Sequence, residues 1–264
     1  MQGVRKLPLR FAAILAALLS VSSCGSAHAD PRDDFILGTT NNCPNCDLRG
    51  VNKKRADLSG ADLSGANLSG ANFHGAILDR SNLSGSDLTD ANLNTADVKS
   101  ANLNGATLTG AMMYGAAFAR SDLTGADLTN ILGQTADFTL ANLTNARMMR
   151  ADLRRARMSG TELNGAILLD SRLDEANLRN ADLTGANLSG SSLTFAVLRG
   201  ADLSQTSLSQ ADLYQADILD TTIAETDLSG SRLLQATAVE SDLLKATLSN
   251  TIMPSGRVEK PSVP

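Results

Sequence analysis

Apolar and polar positions recur along this chain with a period of five residues, as in the stretch ADLSGADLSGANLSGANF at 56–73. Each five-residue unit has a large apolar residue, most often Leu, at its centre (position i) and a small residue at i−2. The centres fall at every fifth position from Leu48 to Met253, which makes 42 units without an insertion. A period of five matches neither a helix nor a strand. The pattern therefore predicts a chain that changes direction once in every unit.

The remaining positions of the unit indicate the shape of the turn. Asp or Asn is common at i−1, Ser or Thr at i+1 and Gly at i+2, where Gly permits a positive φ without a Cβ clash. A chain that turns a corner every five residues returns above its start after four units, which gives a square coil of 20 residues. Coils stacked at the strand spacing of about 4.8 Å form hydrogen bonds with their neighbours, and each coil buries its apolar side chains against the next.

The units ADLSG, ANLSG and ADLTG resemble the A(D/N)LXX repeat of the pentapeptide-repeat family. The resemblance covers residues 46–253 and implies an all-β fold, a right-handed quadrilateral β-helix of about ten 20-residue coils. It also implies a non-enzymatic protein with a structural or protein-interaction role. Some members of the family are acidic rods that mimic duplex DNA and inhibit DNA gyrase, so inhibition of an enzyme by surface mimicry is the alternative function.

A 20-residue coil predicts that residues 20 apart lie directly above one another, and the charges agree with this spacing. Nine pairs of opposite charge are 20 residues apart within residues 46–253, against four pairs of like charge. The pairs are Asp79/Lys99, Asp127/Arg147, Asp137/Arg157, Arg150/Asp170, Asp152/Arg172, Arg154/Asp174, Arg155/Glu175, Asp212/Arg232 and Glu225/Lys245. Exposed pairs of this kind are worth only about 0.2–1 kcal/mol each, so we expect them to fix the register of the coils.

Three centres depart from the pattern, namely Lys53, Gly133 and Ala238, and the first two are informative. In Ile131-Leu132-Gly133 the large residue occupies the small site and Gly occupies the large site, which predicts a local repacking with a similar interior volume. Lys53 stands at a centre in the first, irregular coil, and we expect it to lean outward over the end of the column.

The two ends of the coil differ. Residues 30–45 form an N-terminal cap segment, in which Asp30 is the N-cap of a short helix, Pro31 its first residue and Gly38 its end. Residues 254–264 are Pro-rich and are predicted to be a disordered tail. No capping helix is evident at the C-terminal side, so this end is predicted to be bare, and it is a candidate surface for self-association.

Residues 1–29 have the features of a signal peptide. Arg5, Lys6 and Arg10 precede an apolar run of about ten residues, too short to span a bilayer. Cleavage after Ala29 predicts an exported protein of the periplasm, the thylakoid lumen or the extracellular space. The alternative is a membrane-anchored lipoprotein, because the residues before Cys24 resemble a lipobox, which would place lipidation on Cys24.

Cys43 and Cys46 form a C-P-N-C motif just before the first units. A redox-active pair of this spacing normally begins a helix that follows a strand, and zinc would need two further ligands that His74 alone does not supply. We therefore predict a structural Cys43–Cys46 disulfide in an oxidising compartment. The motif also resembles exported pentapeptide-repeat proteins of cyanobacteria, including lumenal ones.

The remaining chemistry favours binding over catalysis. His74 is the one histidine after residue 29, which leaves little for a Ser-His-Asp or Cys-His arrangement. Residues 1–29 hold three basic and no acidic residues, so the rest of the chain has a net charge of −8, unsuited to nucleic-acid binding. We expect no catalytic, cofactor or metal site, an unidentified protein partner, and no membrane contact unless Cys24 carries lipid.

A group of five arginines could be mistaken for an anion site. Each has an acidic residue 20 positions away, so we predict a locally neutralised belt around the coil. The five are Arg147, Arg150, Arg154, Arg155 and Arg157.

Overall fold

The computed structural model describes residues 30–260, and in this range the chain winds into stacked four-sided coils. The backbone bridges between coils are parallel and join residues 20 apart, from Asp47↔Asn67 to Arg232↔Ile252. The prediction of a coil of four units is therefore confirmed. The predicted signal peptide, including Cys24, lies outside the described residues, as do residues 261–264.

Each unit contributes to the stack through a fixed set of backbone hydrogen bonds. The amide of Leu48 donates to the carbonyl of Asn67 in the next coil (2.8 Å), and the amide of Asn67 donates to Cys46 in the coil before (2.9 Å). Within the turn, Val51 donates to Leu48 (3.0 Å). Because the chain turns a corner every five residues, each side of the coil has one bridged residue. The repeats therefore form isolated bridges, and the continuous strands β1 and β2 lie at the C-terminal end.

The corner residue at i+2 has a positive φ whether or not it is Gly. Gly60 has φ 65°, but Arg80, Phe195 and many other side chains adopt φ between 54° and 60° at this position. The corner therefore forms with or without Gly. The left-handed conformation costs roughly 1–2 kcal/mol for a non-glycine residue, and the hydrogen bonds to both neighbouring coils hold it in place.

The interior is a continuous column of centre residues. Leu68, Leu88, Leu108 and Leu128 lie directly above one another and are 0% exposed, and the rings of Phe118 and Phe138 stack with their centroids 5.2 Å apart.

Hydroxyl residues at the small interior site are also accommodated. Ser86 and Ser121 donate to the carbonyls of Leu83 (2.7 Å) and Phe118 (2.6 Å), so the backbone pairs most of the buried hydroxyl groups.

The acidic or amide residue at i−1 stabilises its own turn. Asp62 accepts hydrogen bonds from the backbone amide (3.1 Å) and the hydroxyl (2.7 Å) of Ser64, and Asp87 binds Thr89 in the same way. This is the local bonding that favours Asp and Asn in turns. The regular carboxylates are thus largely explained by folding.

The unit at 131–133 repacks as predicted. Ile131 is fully buried, Leu132 turns outward with 46% of its surface exposed, and Gly133 leaves room that the Ile131 side chain enters.

The C-terminal end differs from the prediction. Helix α1 (Pro31–Leu37) caps the N-terminal side, but α2 (Glu240–Leu243) replaces a side of the last coil. Strand β1 (Thr251–Ile252) then pairs antiparallel with β2 (Val258–Glu259). The end is therefore not bare, and residues 254–260 are ordered because β2 satisfies backbone groups of the final side.

Leu128→Asp should lower the free energy of unfolding by more than about 3 kcal/mol, because it buries an unpaired carboxylate in the column. Thermal and urea unfolding followed by circular dichroism would measure this. Asn104→Asp is the matched control, since it introduces the same group at an exposed position. An unchanged melting curve for Leu128→Asp would contradict the assignment of the centres to the interior.

Candidate interaction surfaces

The two cysteines of the C-P-N-C motif lie at the entrance to the interior column. In the structure a disulfide joins Cys43 and Cys46, whose Cα atoms are 5.5 Å apart. Cys43 is fully buried, and its amide donates to Asp62 of the next coil (2.8 Å). This is the hydrogen bond of a centre residue, so the stack begins one unit earlier than residue 46. The disulfide thus ties the first two interior positions together.

Helix α1 covers this entrance as the sequence predicts. The Asp30 carboxylate accepts from the Arg32 amide (2.9 Å), Gly38 ends the helix at φ 79°, and Phe35 is buried. Lys53 leans over the end of the column. Its ammonium group donates to the Phe35 carbonyl and lies 4.4 Å from the centre of the Phe35 ring. Burial lowers the pKa of Lys53, and the contact supplies a cation at the C-terminus of a helix that has none in its own last turn.

Side chains of the cap also pair with backbone groups of the first coil. Arg32 Nε donates to the Asp47 carbonyl (2.7 Å), and Asn41 Nδ2 donates to the Asp57 carbonyl (3.1 Å). Asn42 Oδ1 accepts from the Asp62 amide (2.8 Å). These contacts occupy backbone groups at the exposed edge of the first coil, which would otherwise be free to pair with another strand.

Five of the nine charge pairs form ion pairs between coils. They are Asp127/Arg147 (4.0 Å), Arg155/Glu175 (2.8 Å), Asp137/Arg157 (2.9 Å), Asp152/Arg172 (3.9 Å) and Asp212/Arg232 (2.6 Å).

Other members of the nine pairs bind different groups. Lys99 binds Asp97 two residues away, Arg154 binds Asp152, and Lys245 binds Asp242. Arg150 donates to Asn130 (2.9 Å). Four of the five belt arginines therefore meet a carboxylate, and the belt is largely neutralised.

The four faces of the coil have different chemistry. One face, which we call the acidic face, consists of the ten units from 41–45 to 221–225 at intervals of 20 residues, and it holds no Lys or Arg. Its acidic residues are Asp62, Asp122, Glu162, Asp182, Asp202 and Glu225. Burial acts to raise the pKa of Asp182, but hydrogen bonds from Thr184 and Asn164 bring it below its usual value. Hydrogen bonds from Ser64 likewise lower the pKa of Asp62.

A second face, which we call the tyrosine face, has its centres at every twentieth residue from Lys53 to Met253. It carries both tyrosines of the chain. Six large apolar side chains are exposed between residues 46 and 235, and four of them lie on this face. The four are Met112 (37%), Tyr114 (55%), Leu132 (46%) and Phe195 (51%). The other two, Ile77 and Leu140, belong to a different side.

Aromatic and charged groups are combined along this face. Phe195 and Tyr214 make an edge-to-face contact with centroids 5.7 Å apart, and the Arg232 guanidinium lies 4.9 Å from the Tyr214 ring. A cleft of about 480 Å³ is lined by Tyr114, Gln134, Thr135, Arg154, Arg155 and Glu175.

The charges of the tyrosine face neutralise one another. Arg155 donates two hydrogen bonds to Glu175 (2.8 and 3.0 Å) and thereby lowers the pKa of that carboxyl. Burial acts to raise the pKa of Asp152, but hydrogen bonds from Arg154 and Gln134 lower it below its usual value. The surface therefore suits binding to an uncharged or mixed partner surface.

This face is absent from the sequence predictions, because only the charges, and not the apolar and aromatic residues, were compared at a spacing of 20 residues. Reading every fourth unit would have found it, because both tyrosines then appear in one column at i+1.

Within residues 30–260, no group of three His, Cys, Asp or Glu side chains is arranged to hold a metal ion. In the same range, no helix is long and apolar enough to cross a membrane.

Comparisons with known proteins agree with the repeat. The family model of pentapeptide repeats matches the chain and counts eight copies of the repeat. The matched residues are 41–66, 56–94, 91–130, 135–170, 171–210 and 191–229, and several of these ranges overlap. No curated protein matches the chain.

Several solved structures are similar. HetL, a pentapeptide repeat protein involved in heterocyst differentiation regulation in the cyanobacterium Nostoc sp. strain PCC 7120, is 30% identical, with 85% of this chain and 96% of HetL covered and a TM-score of 0.45. Full-length QnrB1, a plasmid-mediated fluoroquinolone resistance protein, is 20% identical, with coverage of 69% and 93% and a TM-score of 0.47. A pentapeptide repeat protein of the Arabidopsis thaliana thylakoid lumen is 32% identical, with coverage of 47% and 66% and a TM-score of 0.24.

The matched repeats account for well over half of the residues, and the chain belongs to the pentapeptide-repeat family.

Proposed function

We propose that this protein is an exported, non-enzymatic scaffold that binds a protein partner through its tyrosine face. The observation that carries the proposal is the concentration of Met112, Tyr114, Leu132 and Phe195 on one of four faces. Exposed apolar side chains scattered singly need no explanation, but a group on one face is typical of a protein-binding surface.

The composition of the face supports a protein partner. Aromatic residues, Met and Arg are enriched at the centres of protein interfaces, and Tyr and Arg are frequent hot spots. Tyr114 and Phe195 are held by corners that the stack fixes on both sides, so little conformational entropy is lost when a partner binds.

The finer features of the proposal follow from the family and the sequence. The coil is a right-handed quadrilateral β-helix, and residues 1–29 direct export, with lipidation of Cys24 as the alternative route to the membrane. Self-association is also part of the proposal. The sequence favoured the C-terminal end as the surface for it, but in the structure α2 and the β1–β2 pair cover that end.

The acidic face favours a second candidate function. The ten units of this face contain six acidic residues and no Lys or Arg. The arginines of the chain therefore offset the acidic charge only on the other three faces. A partner that binds the phosphate backbone of DNA would meet this face, as in an inhibitor of the DNA-gyrase type. Inhibition of gyrase supercoiling by the purified protein would favour this function over the scaffold.

A photoreactive phenylalanine analogue in place of Tyr114 should form a defined crosslink to a protein in cells that express the chain, because Tyr114 belongs to the proposed surface and is 55% exposed. Electrophoresis and mass spectrometry of the adduct would identify the partner. The same analogue at Asn104, an exposed position of the acidic face, is the matched control.

Met112→Ser combined with Leu132→Ser should abolish the Tyr114-position crosslink while leaving the melting curve unchanged, since both side chains are exposed. Crosslinks that arise at the Asn104 position and not at the Tyr114 position would instead favour the acidic face.

Export is tested by the redox state of Cys43 and Cys46. Alkylation of acid-quenched cells should show both thiols protected until a reductant is added, because the pair oxidises only in an exported compartment. The same chain without residues 2–29, held in the cytoplasm, should react at both thiols. Free thiols in the chain that retains residues 1–29 would contradict export.

A further inference from the structure

Two adjacent coils of the tyrosine face have inverted charges. The coil centred on Leu153 presents Asp152, Arg154 and Arg155, and the coil centred on Leu173 presents Arg172, Asp174 and Glu175. At each of the three outward positions, i−1, i+1 and i+2, an acid in one coil corresponds to a base in the other.

We propose that two copies of this chain bind each other through their tyrosine faces, related by a two-fold axis between these two coils. The axis runs parallel to the sides of the coil. Rotation about this axis reverses the order of the coils. The i−1, i+1 and i+2 columns of one copy each lie opposite the same column of the second copy. The coil at Leu153 of one copy therefore faces the coil at Leu173 of the other, and all three positions meet an opposite charge. A two-fold interface requires this kind of self-complementary patch.

The same axis brings the aromatic residues together. The coil centred on Met113 faces the coil centred on Leu213 of the second copy, so Tyr114 and Tyr214 lie opposite each other in the i+1 column. The coil that holds Leu132 faces the coil that holds Phe195. The parallel bridges hold these coils in an unbroken 20-residue register, so the columns remain aligned over the whole strip.

Four of the six central charges remain accessible for a second contact, whereas Asp152 and Asp174 are only 14% and 19% exposed. The side chains of Arg154, Arg155, Arg172 and Glu175 are 40%, 66%, 55% and 50% exposed, although each already has a partner within the chain. A guanidinium has five donors, so it can bind a carboxylate of each copy. Ion pairs within a single chain explain why one column contains opposite charges in adjacent coils. They do not require the charges to be exchanged between the two coils in all three columns.

Charge also distinguishes this face from the acidic one as a surface for self-association. Between Met112 and Gln235 the tyrosine face holds four acids and four bases, which cancel. Two acidic faces would place like charges against each other, which opposes association.

The six coils from Met113 to Leu213 span roughly 25 Å at the usual strand spacing. A strip of this size is typical of small, reversible interfaces, so we expect a dimer that dissociates on dilution. The inference rests on the proposed function for its surface and identifies the partner as a second copy of the chain.

A charge swap tests the dimer. One full-length variant carries Arg154→Asp and Arg155→Glu, and a second carries Asp174→Arg and Glu175→Arg. Each variant alone places like charges opposite each other, so sedimentation velocity should show dimerisation weakened by about tenfold or more. In an equimolar mixture the introduced acids of one variant face the introduced bases of the other, and the native charges at the opposite half of the interface also match. The mixture should regain dimerisation within about threefold of the unaltered chain.

This rescue separates an interface from a structural role, because the compensating substitutions lie on different chains. Circular dichroism would establish that both variants keep the coil, and Arg150→Asp, on a neighbouring face, should leave dimerisation unchanged. An unaltered chain that is monomeric at about 100 µM, or a mixture no more dimeric than either variant, would overturn the dimer. If the dimer fails but the Tyr114 position crosslinks to a different protein, the proposed function still stands.

Discussion

The hydrogen-bond ladder between coils is the constraint on which the rest of this structure depends. From Cys43 to Leu233, every centre residue except Ile223 donates to a carbonyl 19 positions ahead, as Leu48 does to Asn67, so the coils in this range must close in 20 residues. Closure forces a corner in each unit, and the corner forces a positive φ at i+2 even for Phe195 and Arg80. The inward residues then stack on their counterparts in the next coil, and the Leu column follows from the ladder.

The ladder also explains why the outward positions are free to differ. Positions i−2 and i are filled by packing, and i−1 is commonly engaged in its own turn, as Asp62 is with Ser64. Because every unit obeys the same local rules, neither the core nor the ladder distinguishes one face from another. The faces can therefore acquire separate chemistry, which produced an acidic face and a neutral face rich in exposed aromatic and apolar groups.

Departures from the sequence predictions occur where a residue has several partners of similar energy or where the repeat stops. Arg154 binds Asp152 in its own unit and not Asp174 in the next coil, because both acids are within reach and exposed pairs differ little in energy. The C-terminal segment folds back as β2 because the last side has no further coil to satisfy its backbone. Cys43 lies in a unit without the usual pattern, so its place in the stack is visible only from its burial and its hydrogen bond to Asp62.

The sequence by itself determined the repeat, the 20-residue coil, the inward residues and the N-terminal cap of α1, because these depend on a local pattern that is repeated without a shift. Only the tertiary structure decided which acids the arginines bind, how the C-terminal end is covered and which side chains of one face are exposed and in contact. The physical reason is that neighbours on a face are 20 residues apart in the chain but one strand spacing apart in space. Met112 and Leu132, or Phe195 and Tyr214, become one surface only when the coils are stacked.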